Sequence, residues 1–363
     1  MKKRVGICKN YGWCTSADNK SPITGSTDTC PNCGNTLQFN EVSSSAFSLQ
    51  QTKIIIFLLV IIAAIFLGGL WFTFSASEIV CVLPKVIDNT QIQTPADIKL
   101  TEKVNNLAEK RYIKKAIELY YGKWEDQLTI NLANARKLKV TKDNYAWLDE
   151  MVSKAALALG IDAPATYVVF AEEPNAYVTG VTKPILVIHS GLIDIMEPEE
   201  LLFIIGHELG HIKFKHVLAF EVVNISYYVV NFVPTETLRA IIANGILFTF
   251  LKWSRESEIS ADRLGMILVG SEETASKALI KLISGLDDKY GEININAFRE
   301  QSKLENNAFD LRQIPVLLKQ VTSTHPFVGS RVEALYQYKE SSEYARLFST
   351  GDSHSIKIGL PSF

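Results

Sequence analysis

From Ile54 to Phe74 the chain runs for about twenty residues without a charge. At 1.5 Å per residue a helix of that length crosses a hydrocarbon core of roughly 30 Å. The run is apolar on every side, so such a helix has no polar face to turn to water. Trp71 and Phe72 stand where interfacial aromatics belong. The segment runs too long, and lies too far from the start, for a simple signal peptide. One transmembrane helix is expected over 53–74, with everything else arranged before or behind it. Lys53 at one end and Glu78 at the other put the N-terminus in the cytoplasm.

The rest of the composition is ordinary. The 363 residues are 47% hydrophobic and 21% charged with a formal net charge of −2, which excludes a polyelectrolyte that seeks nucleic acid. Four of the five cysteines fall in the first 33 residues, so the chain is no disulfide scaffold. Cys8 and Cys14, then Cys30 and Cys33, are spaced C-x5-C and C-x2-C, and the second pair is followed by Gly34. About forty polar residues cannot build an apolar core, and four thiolates closing on zinc would replace one. A structural zinc ribbon is expected over 1–40. Its thiols need a reducing compartment, in agreement with a cytoplasmic N-terminus. Serine-rich 41–52 reads as a linker, and polar 75–100, with Pro84 and Pro95, as a connector.

A helical pattern extends from Thr101 to about Asn144, and Tyr145–Leu159 is an amphipathic helix stopped by Gly160. Thr166–Ala171 and Lys183–His189 read as strands with Asn175–Gly180 between them. Such a pair can offer its edge to an extended peptide, which engages main chain and accepts varied side chains. Further on, Val217–Phe232 and Leu238–Trp253 are apolar but interrupted by Glu221, Asn224, Arg239 and Asn244, and Pro234 separates them. Each is short for a span; helices packed on the domain or dipped into the membrane surface are expected.

The chemistry concentrates in Leu201–Lys213. Pro198 suits the first helical position, Glu199 and Glu200 suit the positive helix end, and Leu201–Ile205 gives an apolar face. On that helix His207 and His211, four apart, share a face with Glu208 beside them, the H-E-x-x-H pattern. Two imidazoles can bind one zinc, and a shell that keeps a place for water makes hydroxide available near neutral pH; Glu208 can take the proton. Gly206 and Gly210 flank the histidines, so burial rather than propensity must hold the helix.

Two histidines leave the zinc short of a protein ligand, and a carboxylate completes a known catalytic set. Glu256, Glu258 and Asp262 are the candidates. Glu258 and Asp262 share a helix face, whereas Glu256 lies about 200° from Glu258 around the axis. One carboxylate can bind metal while the other orients a ligand histidine. His325, in Thr322–Phe327, can donate to a developing oxyanion, and His189 and His216 read as structural.

His-Glu-Leu-Gly-His (207–211), Ser254–Arg263 and Ser-Thr-His-Pro (323–326), in that order, resemble the HtpX-like, CAAX-prenyl-protease-related zinc metallopeptidases. Asn175–Gly180 and Ser190–Leu192 resemble that family's segment ahead of the helix. The resemblance implies catalytic zinc at His207, His211 and Glu258, and Glu208 as general base. It also implies Asp262 behind a ligand and His325 near the scissile carbonyl. The expected fold is α+β and mainly helical: a zincin-like metallopeptidase domain with a small sheet over 101–345, then a polar tail over 346–363. The expected function is a membrane-anchored zinc endopeptidase acting on proteins or peptides, with its protease domain outside the cytoplasm and no nucleic-acid partner. The other class open to such a chain is an inactive, zinc-stabilised membrane adaptor recruiting a partner through its ribbon. Suitable residue types in every catalytic role argue against it.

Overall fold

The computed structural model describes residues 4–8, 13, 23–25, 29–39, 78–222, 235–306, 327–349 and 353–359. The expected linker at 41–52 and the expected span at 53–74 lie outside them, as do Cys14 and His325. Among the described residues no helix is long and apolar enough to cross a membrane. The chain divides into two compact units, Met1–Ser75 and Ala76–Phe363.

In the first unit, β1 (Arg4–Ile7), β2 (Ile23–Gly25) and β3 (Gln38–Phe39) form an antiparallel sheet in the order β2-β1-β3. A tight turn follows Cys30. The Gly34 N–H donates to the Cys30 carbonyl at 2.8 Å, and the Cys30 N–H donates to the Asn35 carbonyl at 2.8 Å. Gly34 has φ +75°, a left-handed value that glycine adopts without penalty. The buried apolar cluster here is Cys8, Cys30 and Leu37 with Cys33 against it. Among the described residues of this unit no larger buried cluster forms.

The second unit is mainly helical with small sheets. It opens with β4 (Glu78–Pro84), α1 (Asn89–Ile92) and α2 (Pro95–Ala108). Next come α3 (Arg111–Tyr120), a π turn at Tyr121–Glu125, α4 (Asp126–Arg136), β5 (Leu138–Lys139) and α5 (Ala146–Ala158). Strands β6 (Ala165–Val169), β7 (Ala176–Thr179) and β8 (Ile185–His189) lead to α6 (Ser190–Ile195) and α7 (Pro198–Lys213). The remaining elements are α8 (Glu236–Val269), α9 (Glu272–Ser284), α10 (Ile295–Asn306), α11 (Val328–Lys339), α12 (Ser342–Phe348) and β9 (Ser353–Gly359).

Three expectations change. Within the expected connector at 75–100 and the expected tail at 346–363, β4 pairs antiparallel with β9, from Glu78↔Gly359 to Pro84↔Ser353. Ile79, Cys81 and Leu83 alternate inward, and Ile358 meets them from β9. A two-residue period this short is hidden when its partner lies at the other end of the chain. The strands at 165–189 are not one simple pair. β6 runs parallel to β8, and the passage between them contributes β7, antiparallel on the far side of β8, in the order β5-β6-β8-β7. Finally, the stretch after Pro234 does not stop at Trp253. It continues as the single 34-residue α8 to Gly270, whose φ of +73° ends it. That is roughly 50 Å of helix at 1.5 Å per residue.

Helix α7 is the centre of the unit. Its N-terminus carries a reciprocal capping box between Glu197 and Glu200, and Glu200 also accepts from the buried Lys281 Nζ at 2.7 Å. From Glu200 to His211 every residue is buried. Six large apolar side chains among them, at roughly 1.5–3 kcal/mol each, outweigh two helical glycines at about 1 kcal/mol each. The glycines have a use. A Cβ at Gly206 would lie 2.9 Å from Gly265 Cα, and one at Gly265 would lie 2.7 Å from the Phe203 carbonyl oxygen. A Cβ at Gly210 would sit 3.1 Å from Ala261 Cα. Helices α7 and α8 therefore touch backbone to backbone, and the face of α8 that carries Glu258 and Asp262 is pressed onto the histidines.

Candidate metal centre

One ligand atom each from His207, His211 and Glu258 lies within 4.8 Å of the others, and all three residues are buried. The two Nε2 atoms are 3.1 Å apart; Glu258 Oε2 is 3.6 Å from His207 Nε2 and Oε1 is 3.4 Å from His211 Nε2. Glu208 Oε1 is 4.0 Å from His207 Nε2. Glu256 is not part of this group. It sits half-buried on another face of α8, where its carbonyl accepts from Ser260 Oγ at 2.9 Å.

The far nitrogens of both imidazoles are engaged. His207 Nδ1 is 2.8 Å from Asp262 Oδ1. A carboxylate only accepts, so the proton sits on Nδ1 and Nε2 keeps its lone pair for a cation. Asp262 is in turn held by Arg331 of α11, whose Nε and Nη2 donate at 2.7 and 2.6 Å. His211 Nδ1 lies 2.9 Å from His216 Nδ1, and His216 Nε2 lies 3.1 Å from Asp97 Oδ2.

Electrostatics favour a cation. Glu208, Glu258 and Asp262 are buried carboxylates beside the buried Arg331 guanidinium, and buried Asp97 lies behind His216. Burial alone would raise the Asp262 carboxyl, but Arg331 and His207 outweigh it and hold it below its ordinary value. Burial would likewise lower His211, yet Glu258 beside it raises it, so the spot draws positive charge. Negative charge at this depth is costly unless paired or bound to metal. Two bare imidazole nitrogens and a carboxylate are the donor set that zinc accepts, and the residues fit it.

A cleft of about 640 Å³ opens onto this centre, with Glu208 and Arg331 on its wall. The start of β7 borders it at Asn175 and Ala176, and Ile204, Leu282 and Phe298 make it apolar. A second cavity of about 360 Å³ reaches His211 and borders Gly180–Thr182, just beyond the other end of β7. Edge strand β7 thus runs from one cavity to the other. Asp126 secures the turn after it, accepting from the backbone N–H groups of Val181, Thr182 and Lys183 at 2.9, 2.7 and 3.0 Å.

In the first unit Cys8, Cys30 and Cys33 form a second group of possible ligands, with Cys8 Sγ 3.6 Å from Cys33 Sγ. Three site residues escaped the sequence reading: Arg331, which holds Asp262, and Asp97 and His216. Asp97 in the first turn of α2 reads as a residue favoured by the helix dipole, and His216 as structural. A buried carboxylate facing a histidine 119 positions away leaves no local signal.

Residues 142–339 match the model of Peptidase family M48. The chain is 27% identical over 238 residues to the plastoglobule-localized metallopeptidase 48 of Arabidopsis thaliana, covering 64% of this chain and 69% of that protein. It is 24% identical over 259 residues to protease HtpX of a Psychrobacter species, covering 62% and 80%. A protease HtpX homolog of Methanocaldococcus jannaschii is 34% identical over 100 residues, 27% of this chain and 34% of that protein. The crystal structure of S. mikatae Ste24p is similar with a TM-score of 0.37 and 16% identity, covering 66% of this chain and 61% of that one. The family match takes in the two imidazoles, Glu208, Glu258, Asp262 and Arg331 together, and with it the chain belongs to peptidase family M48, a family of metalloproteases.

Proposed function

We propose that the protein is a membrane-anchored zinc endopeptidase in which His207, His211 and Glu258 hold the metal and Glu208 is the general base. The observation that carries this reading is the convergence of two Nε2 atoms and a carboxylate on one point beside a further carboxylate. Zinc bound there would acidify a water and polarise the scissile carbonyl. Glu208 accepts the water's proton and returns it to the leaving amine. Asp262, fixed by Arg331, keeps His207 turned toward the metal. His325 is assigned as a donor to the developing oxyanion. The substrate lies extended along β7, pairing with its main chain, and places side chains in the two cavities. The test compares cleavage of casein or a membrane protein by wild type and by Glu208→Gln. Loss of cleavage with zinc retained supports the reading; full activity in the variant ends it.

Residues 1–40 form a zinc ribbon closed by Cys8, Cys14, Cys30 and Cys33, and 53–74 is the single span that keeps the ribbon in the cytoplasm. The approach of three of the four thiols supports the first part, and the uncharged run at 54–74 the second. For the orientation, cysteines introduced at Gln93 and at Ser353, with Cys81→Ser, should react with an impermeant thiol reagent on intact cells. Labelling only after lysis would put the protease domain in the cytoplasm.

A further inference from the structure

We infer that Asp97 and His216 are positioning residues for the metal centre, and that they set the tautomer of His211 through a carboxylate–imidazole–imidazole chain. The inference rests on the reading of His207, His211 and Glu258 as zinc ligands. Its far end, Asp97, lies outside the residues that match the family.

The donors and acceptors around Asp97 and His216 fit together in one arrangement. Asp97 Oδ1 accepts from Trp253 Nε1 at 3.0 Å and from Thr101 Oγ1 at 2.9 Å. Oδ2 accepts from Gln93 Nε2 at 2.9 Å and lies 3.1 Å from His216 Nε2. A carboxylate offers no proton, so His216 carries its own on Nε2 and presents a bare Nδ1. That bare nitrogen is 2.9 Å from His211 Nδ1, which must therefore be the donor. His211 is left with a lone pair on Nε2, the atom that faces His207 and Glu258. Each step removes the alternative tautomer of the next ring.

The chain bends sharply to make this contact. After α7 ends, Lys215 adopts φ +59°, a left-handed value uncommon for a residue with a side chain. The turn folds His216 back so that its ring lies 5.0 Å from that of His211, centroid to centroid. Both His216 and Asp97 are fully buried, so water is kept from replacing either partner. The two ligand histidines are thus backed differently. His207 donates straight to a carboxylate, whereas His211 donates to a neutral ring with the carboxylate one step further out. An imidazole hydrogen-bonded to a carboxylate is the stronger base of the two. His207 is therefore the more electron-rich ligand.

Asp97→Asn breaks the logic without changing the shape. An amide turned to accept from His216 meets the Trp253 N–H with its own NH₂; turned the other way, it pushes His216 toward the wrong tautomer. The measurement is zinc affinity of the full-length chain by chelator competition, with the His207-dependent zinc identified as the part lost in His207→Ala. Asp97→Asn should weaken that zinc about 10–100-fold. His216→Asn keeps an acceptor near His211 and cuts the link outward, so Asp97→Asn should have no added effect in that background. A structural role for Asp97 predicts that its effect persists there, and that result overturns the chain, as does Asp97→Asn binding within about twofold of wild type. Should the variants not fold, ¹⁵N-histidine NMR of zinc-loaded wild type decides: His216 protonated at Nε2 supports the inference, and at Nδ1 refutes it. A wild-type protein whose zinc all survives His207→Ala removes the zinc reading, and this inference with it.

Discussion

The thiols of Cys8, Cys30 and Cys33 and the ring nitrogens of His207 and His211 are both drawn within metal-binding distance, and by opposite means. In the first unit the turn at Cys30–Asn35 and one strand bring the sulfurs together, and among the described residues Leu37 is the only other buried apolar residue of that cluster. In the second unit the groups come from two long helices that already share a large core. A metal bound at the three thiols would tie a turn to a strand, whereas one bound at the two histidines would be a guest of a core that already exists. The same element would therefore decide folding in one unit and chemistry in the other.

The sharpest way to break this comparison is to remove each metal separately. Cys30→Ser with Cys33→Ser should unfold the proposed ribbon at 1–40, since a structural zinc in so small a module contributes on the order of 10–16 kcal/mol. Hydrogen exchange should show protection lost across 4–39 and kept across 78–359. His207→Ala should abolish the other zinc and leave both units folded. If the thiol variant keeps its protection, the first unit has a core of its own and the contrast fails.

Glu208→Gln comes next. It should lower kcat/KM by about 10²–10⁴-fold while metal analysis still finds two zinc ions per chain, because the carboxylate works on protons rather than on the fold. Gly265→Ala tests the packing that serves the second centre: its Cβ would press on the Phe203 carbonyl oxygen at 2.7 Å. Thermal unfolding should register a cost of about 1–3 kcal/mol, with weaker zinc as Glu258 is levered away from His207. An unchanged melt would show that the helices can part freely. The smallest effect belongs to Glu256→Gln, which should leave stability within about 0.5 kcal/mol and zinc intact. Loss of metal there would exchange the roles of Glu256 and Glu258.

What could be read from the chain beforehand follows the same divide between local and distant. Helix α7 was legible because its leading proline, its acidic first turn and its apolar face lie within sixteen residues. Helix periodicity set Glu258 and Asp262 on one face and Glu256 on another, the family resemblance chose between the faces, and α8 brings Glu258 and Asp262 to the histidines. Gly206 and Gly210 were visible as anomalies, but their purpose required Gly265 and Ala261, on a helix whose packing no periodicity reveals. Asp97 and the β4–β9 pairing stayed hidden for one reason. Each depends on a partner more than a hundred positions away, and residues 75–100 taken alone look like polar chain.

That last pairing sets a clock. Glu78 and Lys357, joined at 2.8 Å across β4 and β9, are 279 positions apart. At a synthesis rate of about 5–20 residues per second, the first strand of the unit waits roughly 15–55 s for its partner. During that interval both histidines, Glu258 and Arg331 have already emerged, while Ile79, Cys81 and Leu83 still lack the strand that pairs with them. The catalytic helices can therefore assemble on a newborn chain before the unit is sealed.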